Sequence, residues 1–177
     1  GWASFDAATR TISGTPDNDD VGSANVTIRA TDLSGAFVED TFQITTVNTN
    51  DAPTVDNALI DQSGTAGQAF SYQFAANSFG DVDVGDTLTY SITSGAPGWL
   101  TIDSATRTLS GNPTVGQDTV SNVVIRATDG SGAFVEDTVQ ITIAPNPVAG
   151  TVGNDNLTAT AFNDSITALT GTDTIDA

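Results

Sequence analysis

The sequence contains no cysteine, no histidine and no lysine. Without cysteine there is no disulfide, no thiol nucleophile and no thiolate ligand for zinc. Without histidine and lysine the chain lacks the commonest general base, the usual Schiff-base amine and the preferred ligand of catalytic zinc. Neither a Gly-x-Ser-x-Gly sequence nor a phosphate-binding loop occurs. We therefore expect a protein that is not an enzyme.

Long hydrophobic runs and positive charge are also scarce. The apolar stretches are only a few residues long, too short to cross a bilayer, so we expect no membrane insertion. The net charge is −18, from 20 aspartates and 2 glutamates against 4 arginines, which disfavours nucleic acid as a partner. The excess of aspartate over glutamate favours tight loops and the coordination of hard cations. The start Gly1-Trp2 is unlike a natural N-terminus, and we expect a fragment of a longer protein.

The chain repeats itself over a distance of 97 residues. The segment GWASFDAATRTISGTP (1–16) returns as GWLTIDSATRTLSGNP (98–113), and IRATDLSGAFVEDTFQIT (28–45) returns as IRATDGSGAFVEDTVQIT (125–142). The alignment needs no gap, and roughly 28 of 47 positions are identical. A repeat of this length is a whole domain rather than a solenoid unit.

Each repeat has the pattern of short β-strands. QAFSYQFA (68–75) and TLTYSITS (87–94) alternate aromatic or aliphatic residues with polar ones, and Gly, Asp or Pro bounds each run. About seven such strands in about 100 residues predict an all-β, antiparallel sandwich. We expect the aromatic residues, Trp99 included, to form the core, with a sugar-stacking platform as the alternative. Arg126 and Glu136 should form an ion pair across neighbouring strands.

The repeat defines four segments. Residues 54–146 form one complete domain, residues 1–47 match only its second half, residues 48–53 are a linker, and residues 147–177 form a tail. The first segment lacks the strands equivalent to 68–75 and 87–94, which would leave a face and two edges uncovered. Either a longer tandem array has been cut, or a neighbouring chain supplies the missing strands.

The motifs FGDVDVGDTLTYSI, GWLTIDSATRTLSGNP and VIRATDGSGAFVEDTVQITI, in this order, resemble a dystroglycan-type cadherin-like domain, also described as immunoglobulin-like. The linker VNTNDAPTV (47–55) resembles the linker between cadherin domains. The resemblance covers nearly all of residues 1–144 and implies tandem Ig/cadherin-like sandwiches in a large bacterial extracellular protein. It also implies calcium sites at one end of a domain.

The aspartates of FGDVDVGD (79–86) repel one another unless a cation lies between them. The cadherin-like resemblance implies that this loop, the linker and the ATDGSG turn share Ca²⁺, with ligands Asn50, Asp51, Asp81, Asp83 and Asp129. Two short carboxylates one residue apart can face the same ion, which takes six to eight oxygens at about 2.3–2.6 Å. Asp86 is ranked lower, as either a ligand or a cap of the next strand. A solvated acidic loop is the alternative for the whole cluster.

A linker that supplies ligands would stiffen when the ion binds. Asp6 could add a ligand from the first domain. Asp32 should belong to an incomplete site unless another chain completes it, because its DVD partner is missing. The second junction, IAPNPVAG, has no aspartate and departs from the pattern. We therefore expect an ion clamp at the first junction only.

The tail has a nine-residue period. GNDNLTATA, FNDSITALT and GTDTIDA align, with Asp155, Asp164 and Asp173 in register. The period resembles the nonapeptides of repeats-in-toxin proteins, which bind Ca²⁺ in glycine-rich turns and stack into a β-roll. The match is degenerate, since Phe162 replaces a turn glycine. A short calcium-binding β-roll, an extended strand packed on the sandwich and a disordered tail all remain open.

These features together predict a non-catalytic, calcium-stiffened extender segment of a secreted or cell-surface adhesin or biofilm-matrix protein. Its partners would be neighbouring tandem domains, and further copies or surface glycans and proteins. The alternatives are a carbohydrate- or peptide-binding module of a secreted enzyme and a subunit of a self-assembling extracellular filament. The step from fold to adhesin rests on resemblance.

Overall fold

The computed structural model describes residues 1–149, 153–158, 165–167 and 170–176. In these ranges the regular structure is β-strand apart from one 3₁₀ turn, Asn18–Asp20. The chain divides into two compact units. The first contains Gly1–Asp51 and Val82–Gly85, and the second contains Ala52–Asp81 and Asp86–Ala177. Across the described ranges no helix is long and apolar enough to span a membrane.

The first unit consists of two antiparallel hairpins. Its strands are β1 (Ala3–Asp6), β2 (Thr11–Gly14), β3 (Gly22–Thr31) and β4 (Phe37–Thr46). β1 pairs with β2 and β3 pairs with β4, each in a two-stranded sheet. An aspartate forms each turn: Asp6 accepts from the backbone N–H of Ala8 at 2.9 Å, and Asp32 accepts from that of Ser34 at 2.9 Å.

The second unit contains a β-sandwich with two main sheets. Its strands are β5 (Thr54–Val55), β6 (Gln62–Thr65), β7 (Phe70–Gln73), β8 (Phe79–Gly80), β9 (Thr89–Ser94), β10 (Leu100–Asp103), β11 (Thr108–Gly111), β12 (Val120–Thr128) and β13 (Phe134–Ala144). One sheet has the order β10-β11-β7 and the other β6-β13-β12-β9, while β5 pairs with β8. The predicted all-β architecture is confirmed. The pairing is antiparallel except that β6 runs parallel to β13.

The core lies between the two sheets and contains the predicted aromatic residues. Phe74 is 1% exposed and makes edge contacts with Phe79 and Tyr90 at centroid distances of 5.9 and 5.1 Å. Phe70 is buried and meets the half-buried Trp99 edge-on at 5.6 Å. Alternate residues of β12 and β13 complete the core: Val123, Ile125, Ala127, Val139, Ile141 and Ile143.

The predicted cross-strand ion pair is confirmed, and both of its side chains are partly exposed. Arg126 Nη2 lies 2.9 Å from Glu136 Oε1, and the guanidinium lies 3.8 Å from the centre of the Phe134 ring. The first unit repeats the pair as Arg29 and Glu39, at 2.8 Å. The same local sequence therefore gives the same hairpin in both units.

The described parts of the tail form parallel pairs of very short strands. β14 (Pro147–Ala149) pairs with β16 (Ser165–Thr167), and β15 (Asn156–Thr158) pairs with β17 (Thr174–Asp176). Paired residues are 18 positions apart, twice the nine-residue period, as in Leu157 with Ile175.

Candidate metal centre

Three carboxylates of the second unit lie close together at one end of the sandwich. One oxygen each of Asp81, Asp86 and Asp129 lies within 4.8 Å of the other two. Asp81 directly follows β8, Asp86 lies three residues before β9, and Asp129 directly follows β12. Asp129 is buried, with 6% exposure, Asp81 is half-buried and Asp86 is exposed. The cluster therefore has a rigid, buried side and a side open to solvent.

The turn between β12 and β13 fixes the position of Asp129. Its Oδ1 accepts hydrogen bonds from the backbone N–H groups of Ser131 at 2.9 Å and Ala133 at 2.8 Å. Its own N–H donates to the carbonyl of Ala133 at 3.0 Å. Because backbone donors hold one oxygen, the carboxylate cannot rotate without breaking the turn.

The donor set suits a hard divalent cation. Three carboxylates within 4.8 Å destabilise one another, and a cation between them converts this repulsion into attraction. The ligands are oxygens only, since the chain has neither histidine nor cysteine, which favours calcium or magnesium over zinc. Calcium needs six to eight oxygens, so backbone carbonyls or water would complete the shell.

Two other predicted ligands belong to the first unit and contact each other there. The backbone N–H of Asp51 donates to Asp83 Oδ2 at 2.8 Å, and Asp83 is only 5% exposed. Asn18 Nδ2 donates to Asp51 Oδ2 at 2.9 Å. Asn50 Nδ2 donates to the carbonyl of Asp51 at 2.9 Å. The predicted ligands thus fall into two sets, one in each unit.

The division between these sets differs from the sequence-based ranking. Asp86, ranked below Asp81 and Asp83, joins Asp81 in the three-carboxylate cluster, whereas Asp83 accepts a hydrogen bond from Asp51. The reason is the course of the chain, because Val82–Gly85 belongs to the first unit while both flanking aspartates belong to the second. Gly85 has φ +98°, a conformation that favours glycine, at the end of this excursion.

Asn18 was missed in the sequence. It lies in the loop PDNDD, which corresponds to PTVGQ in the second repeat. Asp17 Oδ1 accepts from the N–H of Asp19 at 3.0 Å, and Asp20 Oδ2 accepts from the N–H of Asp17 at 3.1 Å. These bonds form a capping box that begins the 3₁₀ turn. The sign of this loop in the sequence was that residues 17–20 differ from residues 114–117, their equivalents in the second copy of the repeat.

Asp6 and Asp32 each accept hydrogen bonds from backbone N–H groups within their own turns. The pKa of Asp6 is lowered by the side-chain hydrogen bond of Thr9 and then by backbone N–H groups. The pKa of Asp32 is lowered by the Ser34 hydroxyl and then by the N–H of Ala36. Asp32 is exposed, unlike its buried equivalent Asp129. Among the residues that the structure describes, neither belongs to a cluster of three metal-ligating side chains.

Two of the three predicted tail ligands meet across the stacked strands. The N–H of Asp155 donates to Asp173 Oδ1 at 3.1 Å, and the N–H of Thr174 donates to the carbonyl of Asp155 at 2.8 Å. Asn154 Oδ1 accepts from the N–H of Thr172 at 2.9 Å. Asp164, the third predicted ligand, lies outside the described residues. The 18-residue stacking places equivalent turn residues side by side.

Residues 1–47 and 52–144 match the family model described as "Putative Ig domain". The chain belongs to this family. Each matched range contains one copy of the 97-residue repeat, so the family model covers strands of the first unit as well as the sandwich of the second.

Similar proteins include an adhesin and cadherins. The "Serine-rich adhesin for platelets" of Staphylococcus aureus (strain USA300) is 34% identical over 156 residues, 88% of this chain and 6% of the adhesin. Mouse cadherin-23 EC22-24 superposes with a TM-score of 0.61 and 18% identity over 82% of this chain and 50% of that one. Protocadherin gammaB7 EC3-6 superposes with a TM-score of 0.59 and 17% sequence identity, over 75% of this chain and 36% of that one. These structural likenesses show the fold, and the Ig-like chain spans a small part of the adhesin.

Proposed function

We propose that this Ig-like chain is a non-catalytic, calcium-stiffened extender segment of a secreted or cell-surface adhesin. The observation that carries the proposal is the cluster of Asp81, Asp86 and Asp129, within 4.8 Å of one another. The 34% identity to a segment of a staphylococcal adhesin supports the adhesin class. The cadherin-like fold supports a role in which domains follow one another along a fibre.

The position of the cluster in the chain explains how an ion would stiffen the segment. Asp81 and Asp86 are the residues immediately before and after Val82–Gly85, the excursion that belongs to the first unit. A cation held by both aspartates would draw the two ends of this excursion together. Asp129 would anchor the ion to the β12–β13 turn, whose backbone already holds its carboxylate. Without the cation, repulsion would open the base of the loop.

Calcium fits this role better than magnesium. Extracellular modules bind calcium at about 0.1–1 mM, and a shell of flexible loops accepts its variable geometry, whereas magnesium requires near-ideal octahedral ligands. The absence of cysteine agrees with an exported fold that ions rather than disulfides stabilise. Asp155 and Asp173 offer a second, weaker calcium position in the tail. An exported protein of this kind would function at a cell surface or in a biofilm matrix.

The aromatic residues favour an extender over a carbohydrate-binding module. Phe70, Phe74 and Phe79 are buried. The Trp99 ring packs edge-on against Phe70, and a side chain added at Gly111 would meet the same ring. Residues committed to packing in this way are poor sugar platforms. Carboxylates can act as general acids and bases, but the clustered aspartates are better explained as ligands of a cation.

Spin labels test the proposal directly, because the chain has no native cysteine. Leu33 and Val120 are exposed, one in each unit, and L33C with V120C gives two labelling sites. We expect the distribution of distances between the labels to narrow in about 1 mM calcium, and not in the same concentration of magnesium. The control variant Asp86→Ala should show no narrowing. Equal distributions in chelator and calcium would contradict the proposal.

A further inference from the structure

Arg107 lies in the turn between β10 and β11, with a backbone conformation that favours glycine. Its φ is +57°, in the left-handed region, where the Cβ of an ordinary residue is crowded by the following carbonyl. Arg10, its equivalent in the first copy of the repeat, has φ +58°. The chain therefore keeps an arginine in both copies at a position where glycine would be less strained. Strain that is retained in this way points to a use for the side chain.

Hydrogen bonds hold this turn in its strained conformation. Asp103 Oδ1 accepts from the backbone N–H groups of Ala105 at 2.9 Å and Thr106 at 3.3 Å. The carbonyl of Arg107 accepts from the N–H of Phe74 at 3.1 Å. Because Phe74 is buried in the core of the sandwich, this bond fixes the Arg107 backbone at the edge of that core. The strain therefore cannot relax without the loss of these bonds.

The Arg107 side chain is folded against the protein but forms no ion pair within the described ranges. Its Nε is buried and has no hydrogen-bond partner there, while the side chain as a whole is half-buried and its outer part remains accessible. Arg29 and Arg126, by contrast, each pair with a glutamate. Asp103, the acid of the same turn, is already held by backbone N–H groups. A half-buried cation is thus left without a counter-charge in a chain of net charge −18.

Two hydroxyl groups lie near this guanidinium. Ser104 Oγ accepts from the backbone N–H of Tyr90 at 2.8 Å, so its own O–H remains available as a donor. The Tyr90 ring contacts Phe74, the residue that bonds the Arg107 carbonyl. Burial raises the pKa of the Tyr90 hydroxyl, and the nearby charge of Arg107 opposes this rise. Ser104, Tyr90 and Arg107 are all half-buried, and together they offer hydrogen-bond donors to an anion.

We propose that Arg107, with the hydroxyl groups of Ser104 and Tyr90, binds the carboxylate group of a small organic acid or acidic sugar. The planar guanidinium can donate two parallel hydrogen bonds to the two oxygens of a carboxylate. The ligand supplies the negative charge that Arg107 does not obtain from an ion pair among the described residues. Its binding gives a reason for arginine at a backbone position where glycine would be less strained.

The charge of the chain favours a ligand with a single negative charge. At −18, the protein repels a polyanion along its whole surface, whereas a single carboxylate meets the least repulsion. A second copy of this chain would bring its own charge of −18 with any aspartate that it offered. Direct contact with a half-buried guanidinium, by contrast, is screened little by salt. A small acid therefore fits this site better than an acidic polymer or another copy.

Arginine side-chain NMR tests the proposal, because the chain has only four arginines and each gives one Nε–H signal. The full chain is titrated with sodium acetate in chelator at about pH 6, where a carboxylate is ionised, and sodium chloride keeps the ionic strength constant. We expect a saturable shift of the Arg107 signal, with a dissociation constant on the order of 1–10 mM, and little shift of the Arg10 signal. Glucuronate should shift the Arg107 signal too, and glucose should not. Tighter binding of glucuronate than of acetate would identify an acidic sugar as the ligand, and equal binding would identify the carboxylate alone.

Three variants separate the guanidinium from charge and backbone. Arg107→Lys keeps the charge and the strained backbone but removes the guanidinium, and it should weaken acetate binding about fivefold or more, read from the backbone N–H signal of Thr106. Ser104→Ala copies the first repeat, which has Ala7 at this position, and should weaken binding about twofold or more. The matched control Arg10→Lys makes the same change in the same conformation at an exposed site, and it should bind as the native chain does.

Four results would overturn the proposal. These are no saturable shift of the Arg107 signal, an equal shift of the Arg10 signal, undiminished binding by Arg107→Lys, and an equal shift caused by glucose. Lysine at φ +57° is no more strained than arginine, so Arg107→Lys should stay folded and keep the test informative if Ser104→Ala unfolds the sandwich. Circular dichroism of each variant alone checks this.

Discussion

The backbone N–H of Asp51 donates a 2.8 Å hydrogen bond to Asp83 Oδ2, and Asp83 is only 5% exposed. The linker and the DVDVGD loop therefore meet through a backbone-to-carboxylate bond within the first unit. Asp81 and Asp86, on either side of this loop, instead join Asp129. Neighbouring aspartates of one motif thus have different roles, and different substitutions should separate them.

Replacing Asp81 or Asp86 by alanine should have opposite effects in chelator and in calcium. In chelator, the loss of one repelling carboxylate should raise the free energy of unfolding by about 1 kcal/mol or less, because the cluster is partly exposed. In calcium, the stabilisation by the ion should disappear. Urea unfolding in both conditions measures this. Asp32→Ala is the control, since Asp32 sits in an equivalent turn, and it should leave the calcium response intact.

Asp83→Ala should destabilise the protein even in chelator. The substitution removes the carboxylate that accepts from the Asp51 N–H, and the loss of such a hydrogen bond costs about 0.5–1.5 kcal/mol. Asp83→Asn retains an acceptor oxygen and should recover part of the loss. Urea unfolding in chelator checks both variants. A stabilised Asp83→Ala protein would instead place Asp83 among mutually repelling carboxylates.

The stability of the sandwich should fall in acid, through Asp103 and Glu136. The pKa of Asp103 is lowered by the Thr106 side chain and then by backbone N–H groups, and that of Glu136 by the hydrogen bond from Arg126. A lowered folded-state pKa gives stability that is full above the unfolded pKa and is lost as pH falls through the folded one. The loss should therefore begin below about pH 4.

Urea unfolding in chelator at pH 7, 4 and 3 tests this dependence. The double variant Asp103→Asn and Glu136→Gln should be less stable at pH 7 and should lose less on acidification. Because the turn of Asp103 recurs at Asp6, a residual acid dependence should remain in the first unit. If the free energy of unfolding of the double variant fell with acidification as steeply as that of the native protein, the assignment to Asp103 and Glu136 would be wrong.

Gly111→Ala should destabilise the sandwich, whereas Gly98→Ala should not. A Cβ at Gly111 would overlap the backbone and ring of Trp99, while a Cβ at Gly98 would meet nothing within 4 Å. Overpacking of this kind costs about 1–3 kcal/mol. Thermal unfolding of the two variants compares the same added methyl group at two nearby positions. Equal melting temperatures would mean that Trp99 can move aside.

Much of the sandwich could be predicted from sequence because its signals are local. Alternating residues such as Tyr72 and Phe74 predict a strand with one buried face, and the 97-residue repeat predicts its boundaries. The position of Arg126 and Glu136 on either side of the DGSGA turn predicted their ion pair. The alternation could not reveal that β6 pairs parallel with β13, because strand direction depends on the course of the intervening chain.

The candidate centre was harder to predict because loop conformation depends on contacts that are distant in sequence. The spacing of Asp81 and Asp83 predicts that both face one ion; in the structure Asp81 lies with Asp86 and Asp129, while Asp83 accepts a hydrogen bond from the N–H of Asp51. Asp86 is brought to Asp81 by the return of the chain to the second unit. Asn18 had no motif at all, only a difference between repeats.

The most direct measurement is thermal unfolding of the full chain in chelator, in about 1–10 mM calcium and in the same concentration of magnesium. If Asp81, Asp86 and Asp129 hold calcium, the melting temperature should rise in calcium, and magnesium should give little or no rise. The rise should vanish in Asp86→Ala. A melting temperature that is the same in chelator and calcium would contradict the calcium-stiffened extender and leave an Ig-like fold with solvated aspartates.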